Sequence, residues 1–189
     1  MATIIGISGS LRRQSFNTAL LRTAAALMPS GSVLDIRTLH GIPLYNGDEE
    51  VERGIPAAVA ALKEVIVGST GVVLATPEYN NSIPGVFKNA IDWLSRPPAD
   101  IKRVFGGRPV AIMGASPGQF GTVTSQVAWL PVLRTLGMNL WTGGRLVVPR
   151  AGKVFDADGT MIDDAVKQQL HDFVVGFVAF ATAGSAQKA

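Results

Sequence analysis

The chain has 189 residues, 47% of them apolar and none of them cysteine, so it suits one domain with a full core and excludes thiol chemistry, disulfides and cysteine metal sites. Its two histidines, His40 and His171, stand far apart in sequence, which argues against a histidine metal centre. Seventeen basic against fourteen acidic residues leave a net charge of +3, scattered without runs or interleaved aromatics; this speaks against nucleic acid and suits a small anionic ligand.

Apolar runs then alternate with helical periods along the chain. "TIIGIS" at 3–8 reads as a buried strand, and Phe16, Ala19, Leu20, Thr23, Ala24 and Leu27 follow as a helical stripe. "SVLDIRTL" at 32–39 alternates like a strand, and a Gly-, Pro- and acid-containing loop occupies 40–54. Ile55, Val59, Leu62, Val65 and Ile66 make a second helical face, and "GVVLATP" at 71–77 is a strand of β-branched residues. Pro84 is suited to the first position of a third helix, with Phe87, Ala90, Ile91 and Leu94 on one side. "RPVAIMGA" at 108–115 predicts a fourth strand, and 121–136 a helix kinked or restarted at Pro131. A fifth strand is expected within 139–149, and Val166, Leu170, Phe173, Val174, Phe177, Val178 and Ala181 form the strongest helical face, at the end.

Five βα units with continuous apolar strands predict one α/β domain over 1–183, its parallel sheet covered on both faces, with a frayed tail at 184–189. The first residues lack the pattern of a secretion signal, and the longest apolar stretch, 173–183, is too short to span a bilayer. The expectation is a cytoplasmic chain with no membrane partner.

In such sheets ligands bind beyond the carboxyl ends of the strands. The loops after strands one, three and four are also the most polar and glycine-rich ones. "SGSLRRQSFN" feeds a helix N-terminus, where free N–H groups and the helix dipole attract an anion. Ser10, Ser15 and Asn17 add polar groups, and Arg12 a fork that matches phosphate; alternatively Ser15 only caps the helix and the arginines are solvated. The loop has neither the dinucleotide fingerprint nor the lysine of a P-loop. "TPEYNNSIPG" places Tyr79, Asn80, Asn81 and Ser82 between stiffening prolines, suited to the polar edge of a flat ring or simply to a turn and helix start. "GASPGQFGT" lets backbone approach a ligand closely. It also matches the G-x-S-x-G nucleophile elbow, with acids at 156–164 and His171 downstream, which raises a serine esterase using Ser116. Pro117 opposes that reading, because the residue after the nucleophile must give its N–H to the oxyanion.

"GSLRRQSFN", the long "PEYNNSIPGVFKNAIDWLSR" at 77–96 and the third loop, in this order, resemble the NAD(P)H-dependent FMN reductases, which include quinone, azo and chromate reductases. The resemblance runs along nearly the whole chain. It implies a flavodoxin-like doubly wound five-stranded parallel sheet in the order 2-1-3-4-5. It also implies an FMN phosphate on the first loop, at Ser10, Arg12, Ser15, Phe16 and Asn17. The ring would lie on Pro77, Glu78, Tyr79, Asn80 and Ser82, largely through backbone, with Ser116, Pro117, Gly118 and Gly121 closing over it. The implied activity is hydride transfer from transient NADPH or NADH through FMN to a small acceptor (a quinone, azo compound, chromate or free flavin), with ping-pong kinetics and no catalytic side chain. A homodimer or homotetramer is implied as well. A flavodoxin-type electron carrier is the alternative, but such carriers usually use a Thr-rich phosphate loop and are strongly acidic. A phospho-receiver domain would need acids where this chain has "SGS" and "TPE".

Overall fold

The computed structural model describes residues 1–186, with side-chain surroundings through 183. Strands β1 (Ala2–Ser8), β2 (Ser32–Arg37), β3 (Gly71–Ala75) and β4 (Pro109–Ala115) form a parallel sheet in the order β2-β1-β3-β4. The place beyond β4 is taken by two short strands, β5 (Asn139–Leu140) and β6 (Leu146–Val148), both parallel to β4. This is the 2-1-3-4-5 flavodoxin-like order, with one change in its fifth member.

The fifth strand, expected as one run within 139–149, is broken at 141–145. Trp141 turns out of the sheet and packs edge-on against Phe173, 5.2 Å between centroids, and tilted against Phe177. Gly143, Gly144 and Gly176 make room for its indole; a Cβ on any of them would come within 3.0 Å of the ring. The half-buried ring thus packs on the two phenylalanines while the Trp141 N–H keeps a bond to the carbonyl of Val110 at 2.8 Å.

Helix α1 (Phe16–Ala26) and helix α8 (Asp164–Ala186) cover one face of the sheet. Helices α3 (Ala57–Val67), α4 (Gly85–Leu94) and α6 (Val123–Thr135) cover the other. The apolar stripe of α1 buries Ala19, Leu20, Leu21 and Ala24, and that of α8 buries Leu170, Phe173, Val174, Phe177 and Ala181, so the strongest apolar face of the sequence is spent on the sheet. Each fully buried Leu or Phe contributes about 1.5–3 kcal/mol. Pro84 stands just before α4, and α6 passes through Pro131 as one element rather than restarting there. Of the expected tail, 184–186 continue α8 and 187–189 lie outside the described residues.

Three further helices were not expected: α2 (Gly47–Arg53) and the single turns α5 (Ile101–Val104) and α7 (Ala151–Val154). The first has no buried residue. Asn46 caps it by accepting the N–H of Asp48, and Asp48, Glu49 and Glu50 at its start with Arg53 at its end suit the helix dipole. No helix among the described residues is long and apolar enough to cross a membrane.

Candidate functional site

The loops after β1, β3 and β4 meet at the carboxyl edge of the sheet. Gly9 gives its N–H to Ala75 at 2.9 Å, and a Cβ there would collide with Phe87 and Pro77, so only glycine lets the first loop lie against the second. In the first loop Ser15 caps α1 by accepting the N–H of Thr18 at 3.2 Å, and Ser10 accepts the N–H of Arg12 at 3.2 Å. Both hydroxyls act there as acceptors and keep their own protons for donation. The N–H groups of Phe16 and Asn17, at the first turn of α1, have no partner among the described residues. Arg12 is exposed, stands 6.0 Å from the Phe16 ring centre and has no carboxylate partner among those residues. A cleft of about 290 Å³ opens beside it, bordered by Arg12, Ser15, Phe16, Arg22 and Phe155.

Asn17 does something else with its side chain. The amide is 3% exposed and brackets Ala115, giving Nδ2–H to its carbonyl at 2.8 Å and accepting its N–H at 3.0 Å. Strand β3 pairs with β4 only as far as Met113, so Ala115 has no β3 partner and the amide takes that place. The side chain ties the first loop to the third, and only its remaining amide proton and its backbone N–H stay free for a ligand.

The second loop is a two-residue hairpin. Tyr79 and Ser82 exchange N–H···O bonds of 3.2 and 3.1 Å, and Asn80 and Asn81 both have positive φ, 49° and 57°. That is the primed turn which Asn tolerates better than other residues with a side chain. It leaves the N–H groups of Asn80 and Asn81 without a partner among the described residues and fixed in direction. Pro77 is buried, Tyr79 is 47% exposed, and Glu78 sends its carboxylate inward to the N–H of Ser125, 2.9 Å.

The third loop is stitched to the segment after β6. Ser116 gives its N–H to Val148 and accepts that of Ala151, and Gly118 accepts that of Arg150. Gly121 has φ 62° and lies against Val147, where a side chain would not fit. Pro117, Gly118 and Phe120 are exposed. The Ser116 hydroxyl accepts the N–H of Gly118 at 3.2 Å. His171 pairs with Asp172 and Gln168 on α8 and borders a separate cleft with Leu27 and Asp164, while Asp156 accepts the N–H groups of Asp158 and Thr160. Serine, histidine and acid are thus each engaged elsewhere, and no triad forms among the described residues.

Several supporting residues had no signal in the sequence. His40 reaches from beyond β2 to the carbonyl of Leu11 at 3.2 Å; a carbonyl only accepts, so Nε2 donates there, while Nδ1 lies 3.1 Å from the Thr38 hydroxyl. Asn89 on α4 grips the 40–54 loop, accepting the N–H of Tyr45 and donating to Pro43, which also receives the Trp93 indole N–H. Tyr45 stands edge-on to Trp93, and its hydrogen bond to Glu50 raises the phenol above its ordinary pKa. Arg150 adopts a left-handed conformation, φ 49°, that costs a non-glycine residue about 1–2 kcal/mol and is held by its bond to Gly118.

The arrangement offers hydroxyl, guanidinium and backbone N–H donors on the first loop and two backbone N–H groups in the second-loop hairpin, beside an exposed, glycine-containing third loop. The family model described as NADPH-dependent FMN reductase matches residues 2–153. The chain is 42% identical over 165 residues, 87% of each chain, to an NAD(P)H-dependent FMN reductase of Pseudomonas aeruginosa. It is 40% identical over 167 residues, 84% of this chain and 87% of the other, to a quinone reductase of Escherichia coli. Its fold is similar to that of FerB from Paracoccus denitrificans, a flavoenzyme NAD(P)H:(acceptor) oxidoreductase, with a TM-score of 0.84, 32% identity and coverage of 97% and 99% of the two chains. On the family match and these identities, the chain belongs to the NADPH-dependent FMN reductase family.

Proposed function

We propose that this FMN-dependent NAD(P)H oxidoreductase holds its flavin across the three loops and passes a hydride to a small acceptor such as a quinone. The observation that carries this reading is the donor set of the first loop: two hydroxyls with free protons, an unpaired arginine and two unpaired N–H groups at the start of one helix. That chemistry fits a terminal phosphate dianion. Bound FMN supplies the hydride chemistry when present; the chain supplies binding, orientation and cover. Ser10, Arg12, Ser15 and the N–H groups of Phe16 and Asn17 hold the phosphate. The N–H groups of Asn80 and Asn81 meet the polar edge of the ring, over the buried Pro77 and beside Tyr79 and Ser82. Ser116, Pro117, Gly118 and Gly121 close from the other side, where the exposed Gly118 has no Cβ to hold a ligand off.

With one ring face covered by protein, donor and acceptor use the other in turn. Initial-rate plots at several acceptor concentrations should therefore run parallel. A second copy of the chain fits the outer face of α6, where Val127 and Leu130 are 53% and 45% exposed beside a groove of about 230 Å³ lined by Ile112, Leu140 and Trp141. We place the homodimer or homotetramer in the cytoplasm. Sedimentation velocity reads the oligomeric state, and fractionation of the source cells the compartment.

The test of the main reading is the visible spectrum of the purified protein, identification of the released flavin, and NADPH or NADH oxidation with free benzoquinone. FMN with acceptor-dependent turnover is expected. Bound FMN without direct NAD(P)H oxidation would point instead to an electron carrier.

A further inference from the structure

The 79–82 turn is held from behind by a polar network that reaches into α6. The helix begins after Thr122, whose own side chain makes no capping bond. In its place Glu78 accepts the N–H of Ser125, the third residue of the helix, at 2.9 Å. The carboxylate thus satisfies an orphan N–H and faces the positive end of the helix dipole. It is a helix cap supplied from another loop.

Next to it lies Thr76, fully buried. Its hydroxyl donates to the carbonyl of Pro77 at 2.9 Å. It accepts from the Trp129 indole at 3.1 Å and, its one proton being spent, from the Ser125 hydroxyl at 2.9 Å. Ser125 and Trp129 are one helical turn apart, on the same inward face of α6, and both are fully buried. Trp129 in turn packs edge-on against Phe87 of α4, 4.8 Å between centroids. The dipeptide Pro77-Glu78 is thereby pinned through its first carbonyl and through its second side chain. Tyr79, the next residue, opens the hairpin.

We infer that Glu78 is a positioning residue: its carboxylate caps α6 and so sets the height and orientation of the 79–82 hairpin against the flavin ring. This rests on the reading that the second loop carries the ring. The side chain itself is turned toward the helix, so what it contributes to the flavin passes through the hairpin. A backbone-only role for Glu78 would leave the carboxylate free to be replaced without consequence.

The experiment compares Glu78→Ala, Glu78→Gln and Thr76→Val in the full chain. It reads FMN affinity by fluorescence titration, the visible absorption of bound FMN, and amide exchange at Ser125 in the FMN-free protein. Glu78→Ala should weaken FMN by about tenfold or more, the effect of losing one charge-assisted bond, while shifting the flavin band and speeding exchange at Ser125. Glu78→Gln keeps an oxygen that accepts the Ser125 N–H and should recover most of the affinity and spectrum. Thr76→Val leaves the Glu78 side chain in place but breaks the other pin, and should shift the band in the same direction. Wild-type affinity and spectrum in Glu78→Ala would overturn the inference, as would a Glu78→Gln variant as impaired as Glu78→Ala. Asn80→Pro, which forbids the positive φ of the hairpin, separates the two levels. If FMN binds normally in Asn80→Pro as well, the assignment of the ring to this loop fails; if only Glu78→Ala binds normally, the positioning role alone fails.

Discussion

Replacing Asn17 with Ala should destabilise the protein even when no flavin is bound. The side chain is 3% exposed and makes two bonds to the backbone of Ala115, itself 2% exposed. Truncation removes both partners at once and leaves a buried N–H and a buried C=O where β3 no longer reaches. Each such group costs about 1–3 kcal/mol, and partial entry of water offsets some of it, so the expected loss is about 2–5 kcal/mol. For a chain of this length a loss of about 3 kcal/mol lowers Tm by roughly 6–12 °C. Asn17→Asp should be no better, because it keeps the acceptor for the Ala115 N–H but sets a carboxylate oxygen against the Ala115 carbonyl. Urea unfolding of the FMN-free protein, followed by tryptophan fluorescence, measures the loss directly. If Asn17 served only the phosphate, the FMN-free variant would lose less than about 0.5 kcal/mol while FMN binding fell tenfold or more. That pair of results would refute the reasoning.

Arg12→Ala should weaken FMN by about one to two decades and leave riboflavin nearly unchanged, since the guanidinium is assigned to the phosphate; equal losses in the two titrations would remove that assignment. Lys63 is buried and donates to Asp100 at 2.9 Å and to the carbonyl of Arg96, and its hydrogen bond holds the Asp100 carboxyl below its ordinary pKa. Asp100→Asn leaves the buried ammonium without its counter-charge and should cost about 2–3 kcal/mol at neutral pH, somewhat below the usual range because the carboxylate is 27% exposed. A carboxyl with a lowered folded pKa stabilises fully above its unfolded value, near 4, and progressively less as pH falls through the folded one. The gap in urea midpoint between wild type and Asp100→Asn should therefore close in acid. Asn89→Ala should release the 43–45 segment, speeding amide exchange at Tyr45 while Trp93 still holds the Pro43 carbonyl; unchanged exchange there would show that the indole alone suffices.

The alternation of strands and helices, the parallel sheet and the three polar loops at its carboxyl edge were legible in the sequence. They depend on periodicity and on residues a few places apart: the apolar runs at β1, β3 and β4, Ser15 before a helical stripe, and the prolines that bound the second loop. Family resemblance added the cofactor, which periodicity alone could not name. The tertiary structure decided which groups each side chain serves. Asn17 reads as a phosphate ligand because it stands in a polar loop, yet its amide is drawn to Ala115 because β3 ends two residues before β4 does. Glu78 reads as part of a ring-binding loop, but the uncapped start of α6, more than forty residues later, claims its carboxylate. The fifth strand reads as continuous until α8 supplies the glycine and the two phenylalanines that seat Trp141. In each case the deciding partner lies far along the chain, and only the packed sheet brings its unpaired N–H, carbonyl or apolar surface within reach.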